Sequence, residues 1–364
     1  MIKKPRFLYA VLLIISFAVF PASAAQETAA SFGPDKDAVP GLCREAARMV
    51  EDTRPMMGTF VRIQAPVPAG QDAETVRLAV GKAFNEIARV EGIFSVFKDD
   101  SEASRINRCK KAGEPVKTTE EVFGLIERSV ACGEDMKGAF DITVKPLVDL
   151  WRAAGKEMVL PSKKEIMAAL DKVGSRYIIL DRLNTTITFQ KDGMALDFGG
   201  VAKGYATDRA VAVLKECGVR NALVSSGGDT YCLGMKDELE PWRVGIQHPR
   251  DKKKVFAALQ LNDRAIDTAG DYEKYFLFNG KRYPHIIDPR TGRPADNGVA
   301  SATVVADDAT SADMFATALC VLGSHGLEIA DAKGMDALII MEDKDKFKVG
   351  MAGGFKEQYG KAKK

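Results

Sequence analysis

The sequence predicts an α+β fold, and three observations support this prediction. Helical periodicity dominates residues 73–136, the middle of the chain is rich in strand patterns, and neither an internal repeat nor a regular βαβ alternation is present. A chain of 364 residues is long enough for one large domain or for two closely packed lobes. We therefore expect a single large body with mixed or antiparallel sheets flanked by helices.

The first residues have the pattern of an export signal. Lys3, Lys4 and Arg6 precede a fourteen-residue, almost unbroken apolar run, and Ala22-Ser23-Ala24 follows with small residues suited to signal peptidase. A membrane-spanning helix needs roughly 20 apolar residues, so the run is too short for one. We expect a signal peptide at residues 1–24 and an exported, periplasmic protein. An uncleaved membrane anchor is the alternative.

Composition and charge limit the classes of function. Residues 25–42 lack periodicity and are predicted to form a flexible linker, with the folded body at 43–355 and a basic tail at 356–364. Loss of the signal would take the formal charge from +2 to −1, which argues against a nucleic-acid partner. The six cysteines form no C-x-x-C pair, so zinc or thioredoxin-like chemistry has little support. We expect buried free thiols at Cys217 and Cys320.

A strand and three helices are predicted in the first half of the body. Residues 59–64 alternate in the manner of a strand and follow a turn at Met56-Met57-Gly58. From Ala73 to Phe94, apolar residues recur at three- and four-residue spacing, which indicates an amphipathic helix. A second helix is predicted from about Thr119 to Met136. A third begins at Ser162, where a glutamate three residues later completes a capping box.

The second half combines strands with two helices. Asp181–Asn184 and Asn279-Gly280 have the composition of hairpin turns. Helices are expected at Lys203–Cys217, which Gly218 ends, and at Asp313–Leu322. The predicted strands are Tyr177–Leu180, Thr186–Phe189, Ala222–Ser225, Val244–Gln247, Val255–Leu261, Tyr275–Phe278 and Val299–Val305.

One candidate metal site lies on the last predicted helix. Asp313 and Thr317 are four residues apart, so a helix places them on one face. A carboxylate with a hydroxyl suits Mg²⁺, which takes its remaining ligands from water and phosphate. Alternatively, Asp313 is a first-turn acid that favours the helix dipole, and Thr317 only bonds a backbone carbonyl.

A second candidate is the loop from Tyr283 to Pro294. Three prolines and a glycine make it rigid, and it presents His285, Asp288 and two arginines within a dozen residues. Histidine exchanges protons near neutral pH, and arginine recognises phosphate. A purely structural turn capped by Asp288 is the alternative, but so many special residues in one loop favour a function.

Glycine-containing turns supply the remaining candidates. In Asp197–Asp208, a strand runs through two glycines into a helix with Lys203 in its first turn, an arrangement that can hold an anion. Ser225–Asp229 and Asp267–Glu273 place glycines where a backbone turns or approaches a ligand. Each of these, taken alone, could be an ordinary turn.

Seven motifs follow one another along the chain, and their order is more specific than any single motif. They are Met57-Gly58-Thr59, Phe140–Thr143, Asp197–Asp208, Ser226–Asp229, Thr268–Glu273, His285–Pro294 and Ser311–Ala318. Together they closely resemble the motifs of the ApbE family, the FAD:protein FMN transferases. The resemblance covers roughly residues 54–341, which is nearly the whole folded body.

The resemblance implies an enzyme that moves FMN from FAD to a threonine hydroxyl of an acceptor protein and releases AMP. It also implies Mg²⁺ as the metal and FAD as a substrate. The acceptors would be subunits of Rnf- and Nqr-type redox complexes, whose target threonines lie outside the cytoplasm. An exported enzyme fits this requirement, and its association with the membrane would be peripheral, through such partners.

Specific residues acquire roles from the resemblance. Asp313, Thr317 and a backbone carbonyl of Gly200 would hold Mg²⁺ on the FAD pyrophosphate. His285 would lie near the reacting phosphate, and Asp288 would position the loop and help to orient the acceptor hydroxyl. The FAD pocket would be lined by Met57, Asp197, Lys203, Ser226, Gly227, Gly228, Thr268, Gly270 and Tyr272.

Two questions stay open at the level of sequence. Ala269 stands where the family often has serine, which removes one hydrogen bond to flavin or phosphate. The general base is His285 or a neighbouring carboxylate. A magnesium-dependent FAD pyrophosphatase and an exported flavin-binding protein without chemistry are the alternatives to the transferase. A simple carrier does not require Asp313, Thr317 and His285 together.

Overall fold

The computed structural model describes residues 48–109, 111–237, 239–344, 346–355 and 357, which belong to one compact unit. The predicted signal peptide at 1–24 and linker at 25–42 lie outside these residues, as does the predicted basic tail apart from Glu357. Within the described part of the chain, no helix is both long and apolar enough to cross a membrane.

The described residues form eight α-helices, one 3-10 helix at Ser175–Tyr177 and seventeen strands. The helices are α1 (Ala73–Phe94), α2 (Glu102–Arg108), α3 (Glu120–Asp135), α4 (Lys145–Glu157), α5 (Lys163–Leu170), α6 (Ala202–Glu216), α7 (Ala309–Leu322) and α8 (Ser324–Ala332). The strands are β1 (Met49–Met56), β2 (Thr59–Pro66), β3 (Pro115–Lys117), β4 (Ile178–Asp181), β5 (Thr186–Phe189), β6 (Ala222–Ser226), β7 (Asp229–Leu233), β8 (Trp242–His248), β9 (Asp251–Leu261), β10 (Arg264–Gly270), β11 (Tyr275–Phe278), β12 (Lys281–Pro284), β13 (Ile287–Asp288), β14 (Arg293–Pro294), β15 (Val299–Ala306), β16 (Asp336–Asp343) and β17 (Lys346–Ala352).

An eight-stranded sheet lies at the centre of the fold. Its order is β1-β2-β6-β7-β10-β15-β16-β17, and every neighbouring pair is antiparallel. Helix α6 packs against α1 and α7, and α7 lies against β10 and β15. Three two-stranded sheets and the three-stranded sheet β3-β5-β4 complete the architecture. The predicted α+β fold with antiparallel sheets flanked by helices is confirmed.

The middle of this sheet is buried on both faces. All eight residues of β15 and all five residues of β7 are buried, although side chains alternate between the two faces of a strand. Helix α7 is apolar nearly all round and is buried along most of its length. A charged side chain in any of these three elements therefore lies in the protein interior, where it needs a partner.

Local signals explain the helix ends that the sequence predicted well. Helix α1 has the predicted bounds, and the Asp72 side chain caps it by accepting a hydrogen bond from the backbone N–H of Glu74 at 3.2 Å. At the start of α5, Ser162 and Glu165 form the predicted capping box, with both reciprocal hydrogen bonds present. Tyr275–Phe278 is a strand, as predicted, and Asn279-Gly280 is its hairpin turn.

Other boundaries differ for identifiable reasons. Helix α7 begins at Ala309, not at Asp313, because the Asp308 side chain accepts a hydrogen bond from the Ser311 N–H at 2.8 Å and caps the helix there. Helix α4 was not predicted from the sequence. Proline is favourable in the first helical turn, which is where Pro146 lies.

The cysteine predictions are confirmed in part. The five described cysteines are free, and Cys320 is buried on α7. Cys217 was expected on the apolar face of a helix, but it is the half-buried C-cap residue of α6. The helix ends one residue earlier than predicted, because Gly218 adopts a positive φ of 82° directly after the cap.

Candidate active site

The predicted glycine motifs meet at one end of the central sheet. The β1–β2 turn contains Met57, the β6–β7 turn contains Gly227 and Gly228, and Thr268 lies near the end of β10. These strands follow one another in the sheet order β1-β2-β6-β7-β10, so the turns and strand ends at this edge form a continuous row. A Cβ atom built on Gly228 would lie 3.7 Å from the carbonyl oxygen of Thr268. Motifs far apart in sequence thus form one continuous edge, made of the β1–β2 turn, the β6–β7 turn and the end of β10, which we call the glycine rim.

The β6–β7 turn requires glycine at both of its central positions. Gly227 has a φ of 62° and Gly228 a φ of 123°, and the latter is open to few residues other than glycine. A side chain on Gly227 would also collide with that of Thr59 at the start of β2. The two glycines therefore let the chain turn tightly and bring backbone amides close to the rim.

A cluster of three carboxylates lies directly behind this rim. Asp229 on β7, Asp267 on β10 and Asp313 on α7 are all buried, and carboxylate oxygens from the three lie within 4.8 Å of one another. Lys203, on the first turn of α6, pairs with Asp229, and its Nζ lies 3.5 Å from Oδ2 of Asp313. Among the described residues, Oδ1 of Asp229 is buried without a hydrogen-bond partner.

The charges in this cluster do not balance. Three carboxylates face one ammonium group, so two negative charges would remain if all were ionised. Burial and the neighbouring Asp267 and Asp313 raise the pKa of Asp229 well above its usual range, and burial raises the pKa of Asp267 to about 7. Burial alone would lower the pKa of Lys203, but the three carboxylates outweigh it and raise the value. Such a cluster can accept a cation.

The residues predicted as metal ligands come together beside this cluster. Asp313 and Thr317 share one face of α7, and a Cβ built on Gly200 would lie 3.3 Å from the Thr317 hydroxyl. Asp313 Oδ2 accepts a hydrogen bond from the Gly204 N–H at 3.2 Å. Because α7 begins at Ala309, its first turn contains no acid and Asp313 lies beyond it. The alternative explanation, in which Asp313 is a first-turn acid that favours the helix dipole, therefore does not apply. Within the described chain, the Thr317 hydroxyl makes no hydrogen bond to a backbone carbonyl.

The segment before α6 is held rigidly. Asp197 Oδ1 accepts a hydrogen bond from the Gly199 N–H at 2.7 Å, and burial raises the pKa of this carboxyl group. The Asp197 N–H donates to the carbonyl of Ile142, which belongs to another of the motifs. The turn that brings Gly200 towards Thr317 is therefore fixed from both sides.

Among the described residues, His285 has one ring nitrogen without a hydrogen-bond partner. Both its backbone N–H and its Nδ1 lie within hydrogen-bond distance of the Lys274 carbonyl oxygen, at 3.0 and 2.9 Å. A carbonyl oxygen only accepts, so Nδ1 carries the proton and the lone pair of Nε2 is free. The residue as a whole is exposed, but the protein around the ring excludes enough water to lower the pKa of His285 to about 4. The ring is therefore neutral near pH 7 and can accept a proton.

Asp288 has a different environment. Its carboxylate accepts three hydrogen bonds from Arg290, one from the backbone N–H and two from the guanidinium group, at 2.9–3.0 Å. Its carbonyl oxygen accepts from the Gly292 N–H at 2.9 Å and closes the turn. These contacts agree with a role in positioning the loop, whereas no hydrogen bond joins Asp288 to His285 in the described residues.

Four other residues were predicted to line the FAD pocket, namely Ser226, Thr268, Gly270 and Tyr272. Ser226 is fully buried and accepts a hydrogen bond from Thr207 at 3.0 Å, so its side chain supports the turn and does not face an open pocket. Thr268 Oγ1 lies 2.8 Å from the hydroxyl of Thr303. Tyr272 is buried next to Gly270, where a Cβ would collide with the tyrosine ring. Gly270 thus allows Tyr272 to fold back against β10.

Asp229 and Asp267 lie in motifs that the sequence predicts to be functional, but neither aspartate was assigned a role from the sequence. Both lie in strands whose other residues are mostly apolar, namely Asp229–Leu233 and Arg264–Gly270. An aspartate within a buried apolar strand is a signal, because an unpaired charge is costly there. That signal could have identified both residues, although not their proximity to Asp313.

The fold and the site together define an α+β protein whose glycine turns and buried carboxylates suit a cation and a phosphate-bearing ligand. The sequence profile of the ApbE family matches residues 57–339, and the chain belongs to that family.

Individual relatives agree in both sequence and structure. A protein of Escherichia coli (strain K12) named FAD:protein FMN transferase is 34% identical over 306 residues, which are 82% of this chain and 86% of that protein. The flavin transferase ApbE from Vibrio cholerae superposes with a TM-score of 0.76 at 30% identity, over 86% of this chain and 100% of that one. The ApbE protein of Thermotoga maritima gives a TM-score of 0.77 at 33% identity, over 86% and 99% of the two chains.

Proposed function

We propose that this protein transfers FMN from FAD to a hydroxyl group of an acceptor protein. The observation that carries the proposal is the environment of His285, which lies between β12 and β13. Its Nδ1 is held by the Lys274 carbonyl, and its Nε2 has no hydrogen-bond partner among the described residues. The relatives named FAD:protein FMN transferase, which align over more than four fifths of this chain, support the same activity. A neutral imidazole with one committed nitrogen is suited to general-base catalysis.

The reaction can be written with all atoms accounted for. The acceptor hydroxyl oxygen attacks the phosphorus on the FMN side of the FAD pyrophosphate, and an O–P bond forms. The bond from that phosphorus to the bridging oxygen breaks, and AMP leaves with the electron pair. Nε2 of His285 takes up the hydroxyl proton, while the Lys274 carbonyl holds the other ring nitrogen and stabilises the imidazolium that forms.

We infer that the site uses Mg²⁺, held by Asp313, Thr317 and the backbone carbonyl of Gly200. Two features of the cluster fit a divalent cation, namely the unpartnered Oδ1 of Asp229 and the excess of carboxylates over ammonium groups. Bound Mg²⁺ supplies Lewis-acid stabilisation of the negative charge on the pyrophosphate. Lys203 adds a positive charge that stays with the cluster.

The acceptor and the compartment form a further part of the proposal. The motifs that resemble the ApbE family suggest subunits of Rnf- or Nqr-type redox complexes, modified at a threonine. The signal-like residues 1–24 suggest an exported, periplasmic enzyme that meets the membrane only through such partners.

A second activity, FAD hydrolysis to FMN and AMP, is favoured by one observation. His285 as a whole residue is exposed, so water can approach it from the solvent side when no acceptor is bound. The same base would then activate water, and FMN would be released free. The two activities share every residue of the site and differ only in the nucleophile.

One experiment separates these functions. The mature protein is incubated with FAD, Mg²⁺ and the purified soluble domain of an Nqr-type subunit that carries its target threonine. The acceptor is then weighed by mass spectrometry and the free nucleotides are quantified. Transfer gives an FMN adduct with equimolar AMP, hydrolysis gives free FMN and AMP with an unmodified acceptor, and intact FAD contradicts both.

A further inference from the structure

A recess opens at the same end of the central sheet as the glycine rim, on the side of β10 that faces β15 and β16. It has a volume of about 490 Å³, within the range of ligand-binding clefts. Its base consists of strand ends. Asp271 follows β10, Val299 begins β15, and Glu342 lies near the end of β16. Its wall is the β11–β12 hairpin. We call this recess, between that hairpin and residues 295–299, the hairpin groove.

One face of the hairpin carries exposed apolar side chains, and three residues of that face, Leu277, Arg282 and Pro284, line the groove. Leu277 pairs with Arg282 across the hairpin, and Tyr275 pairs with Pro284, so these four side chains share one face. Leu277 is 54% exposed and Tyr275 46% exposed, which is unusual for large apolar residues in neighbouring positions of one face.

The opposite face of the hairpin is packed firmly. Phe276 stacks on Tyr283 with ring centroids 5.1 Å apart, and Tyr283 stacks in turn on Trp151 at 5.9 Å. Trp151 donates its ring N–H to the Gly292 carbonyl at 2.8 Å. The exposed apolar face is thus held in place by a rigid support, which a docking surface requires.

Charge in the groove is mixed and largely balanced. Arg250 bridges Asp271 and Glu342 at 2.6 Å each, and Lys281 pairs with Asp296 at 2.6 Å. A pyrophosphate site is favoured by an excess of positively charged side chains, whereas those that line this groove are matched by carboxylates. Apolar side chains between paired charges resemble the core and rim of a protein interface instead.

One donor in the groove lacks a partner. Arg282 Nε is buried and makes no hydrogen bond to any described residue, although the guanidinium group pairs with Asp271 at 3.4 Å and stacks over Tyr275. The Arg282 side chain is 32% exposed, so another N–H of its guanidinium group can donate to a carbonyl oxygen of an incoming peptide. Extended segments offer such carbonyls at regular spacing.

The strand that forms the groove wall ends one residue before the proposed base. Pro284 lines the groove, and the next residue is His285, whose Nδ1 and backbone N–H are both fixed on Lys274. The glycine rim, with its carboxylate cluster, spans β2 to β10, and the groove continues from β10 to β16. His285 follows the strand that forms the groove wall, so a segment lying in the groove would pass close to it.

We propose that the hairpin groove binds an extended segment of the acceptor protein and presents its hydroxyl group to His285. Leu277 would contact an apolar side chain of that segment, and the guanidinium group of Arg282 would donate to one of its carbonyl groups. This proposal rests on the transferase function and adds to it a separate site for the protein substrate.

Leu277→Asp tests the proposal, because it places a charge on the exposed apolar face without disturbing the packed one. The matched control is Leu183→Asp, at a 97% exposed leucine in the β4–β5 turn. KM and kcat are measured with the soluble domain of an Nqr-type subunit as acceptor, and FAD affinity is measured separately by flavin fluorescence. We expect KM for the acceptor to rise about tenfold or more in Leu277→Asp, with FAD affinity unchanged and Leu183→Asp equal to the parent.

Each outcome is decisive. An unchanged acceptor KM in Leu277→Asp, in a variant that is folded by circular dichroism, overturns the groove proposal while leaving the transferase function intact. A matching loss of FAD affinity also overturns it and assigns the groove to the flavin nucleotide. A parent protein that binds FAD but never modifies the acceptor overturns the transferase function, and the groove proposal falls with it.

Discussion

At the scale of single residues, the site depends on two side chains with opposite requirements. His285 must be uncharged to accept a proton, and its desolvated ring has a pKa of about 4. Asp313 must be charged to bind a cation, and the ammonium group of Lys203 lies 3.5 Å from it. The two side chains belong to different elements, so each can be altered without directly moving the other.

Replacement of the base gives the first prediction. His285→Gln keeps a polar side chain but cannot take up a proton, so the transfer rate should fall by about 10²–10⁴-fold. FAD affinity should stay within a factor of two, since the ring bonds only to Lys274 among the described residues. Single-turnover formation of the FMN adduct measures the rate. His325→Gln, at an exposed histidine on α8, is the control and should match the parent.

The pH profile gives the second prediction. The active form of His285 is the neutral ring, and this form is lost only as the pH falls through the folded-state pKa of about 4. The single-turnover rate should therefore stay level from pH 8 down to pH 6 and decline in more acidic solution. An ordinary histidine would show half of its loss near pH 6.5. A midpoint near that value would contradict the assigned environment of His285.

The third prediction concerns the proposed metal ligand. Asp313→Ala should abolish both FMN transfer and FAD cleavage, because it removes the only carboxylate that shares a face of α7 with Thr317. Titration of activity with MgCl₂ should give no recovery. Asp307→Ala is the matched control, since the side chain of Asp307 is 91% exposed and precedes the same helix. Full activity of Asp313→Ala would remove the basis for the metal assignment.

At the scale of elements, the close approach of α6 and α7 sets the geometry of the site. Gly204 lies on the first turn of α6, where a Cβ would collide with the carbonyl group of Ala309 at the start of α7. This contact brings the Gly204 N–H to Asp313 and, through the same helix, Lys203 to the carboxylate cluster. A single glycine thus fixes the separation between the two helices.

The fourth prediction tests this contact. Gly204→Ala should destabilise the protein by about 1–3 kcal/mol or more, because the backbones of α6 and α7 must move apart. Urea unfolding followed by circular dichroism measures the change. Gly81→Ala on α1, where a Cβ meets no atom within 4 Å, is the control and should be neutral or stabilising by up to about 1 kcal/mol. Equal stability of both variants would contradict the role of Gly204.

Strong local signals made some elements predictable from sequence and left others unseen. Helix α1 and the Asn279-Gly280 hairpin follow from periodicity and turn chemistry alone. Strand β16 did not, since a short continuous apolar run does not distinguish a strand from a buried helix. Asp313 and Thr317 could be paired by their spacing, whereas Asp229 reaches them only through the packing of β7 and α7, which the sequence does not reveal.

At the scale of the whole molecule, the proposed cation site would link metal binding to stability. Asp229, Asp267 and Asp313 lie in the interior of the sheet–helix core, where their mutual repulsion opposes folding. A cation that binds the folded protein and not the unfolded chain adds RT ln(1 + [L]/Kd) to the free energy of unfolding.

The fifth prediction follows from this linkage. Mg²⁺ at one hundred times its Kd should increase the free energy of unfolding by about 2.7 kcal/mol, and EDTA should reverse the increase. Thermal unfolding in the absence of FAD measures the effect independently of activity. Asp313→Ala should show no response to Mg²⁺. A parent protein whose unfolding is insensitive to Mg²⁺ from micromolar to tens of millimolar would contradict a metal site in the free enzyme.

The four charged residues of the cluster lie on α6, β7, β10 and α7, and together they span residues 203–313. A ribosome makes these elements in that order, so the carboxylate on α7 is added last, after His285 and the whole hairpin have already emerged. A chain that stops before residue 309 would contain the proposed base but would lack the α7 residues of the proposed cation site. The order of synthesis therefore makes the ability to cleave a flavin nucleotide one of the last properties that a growing molecule acquires.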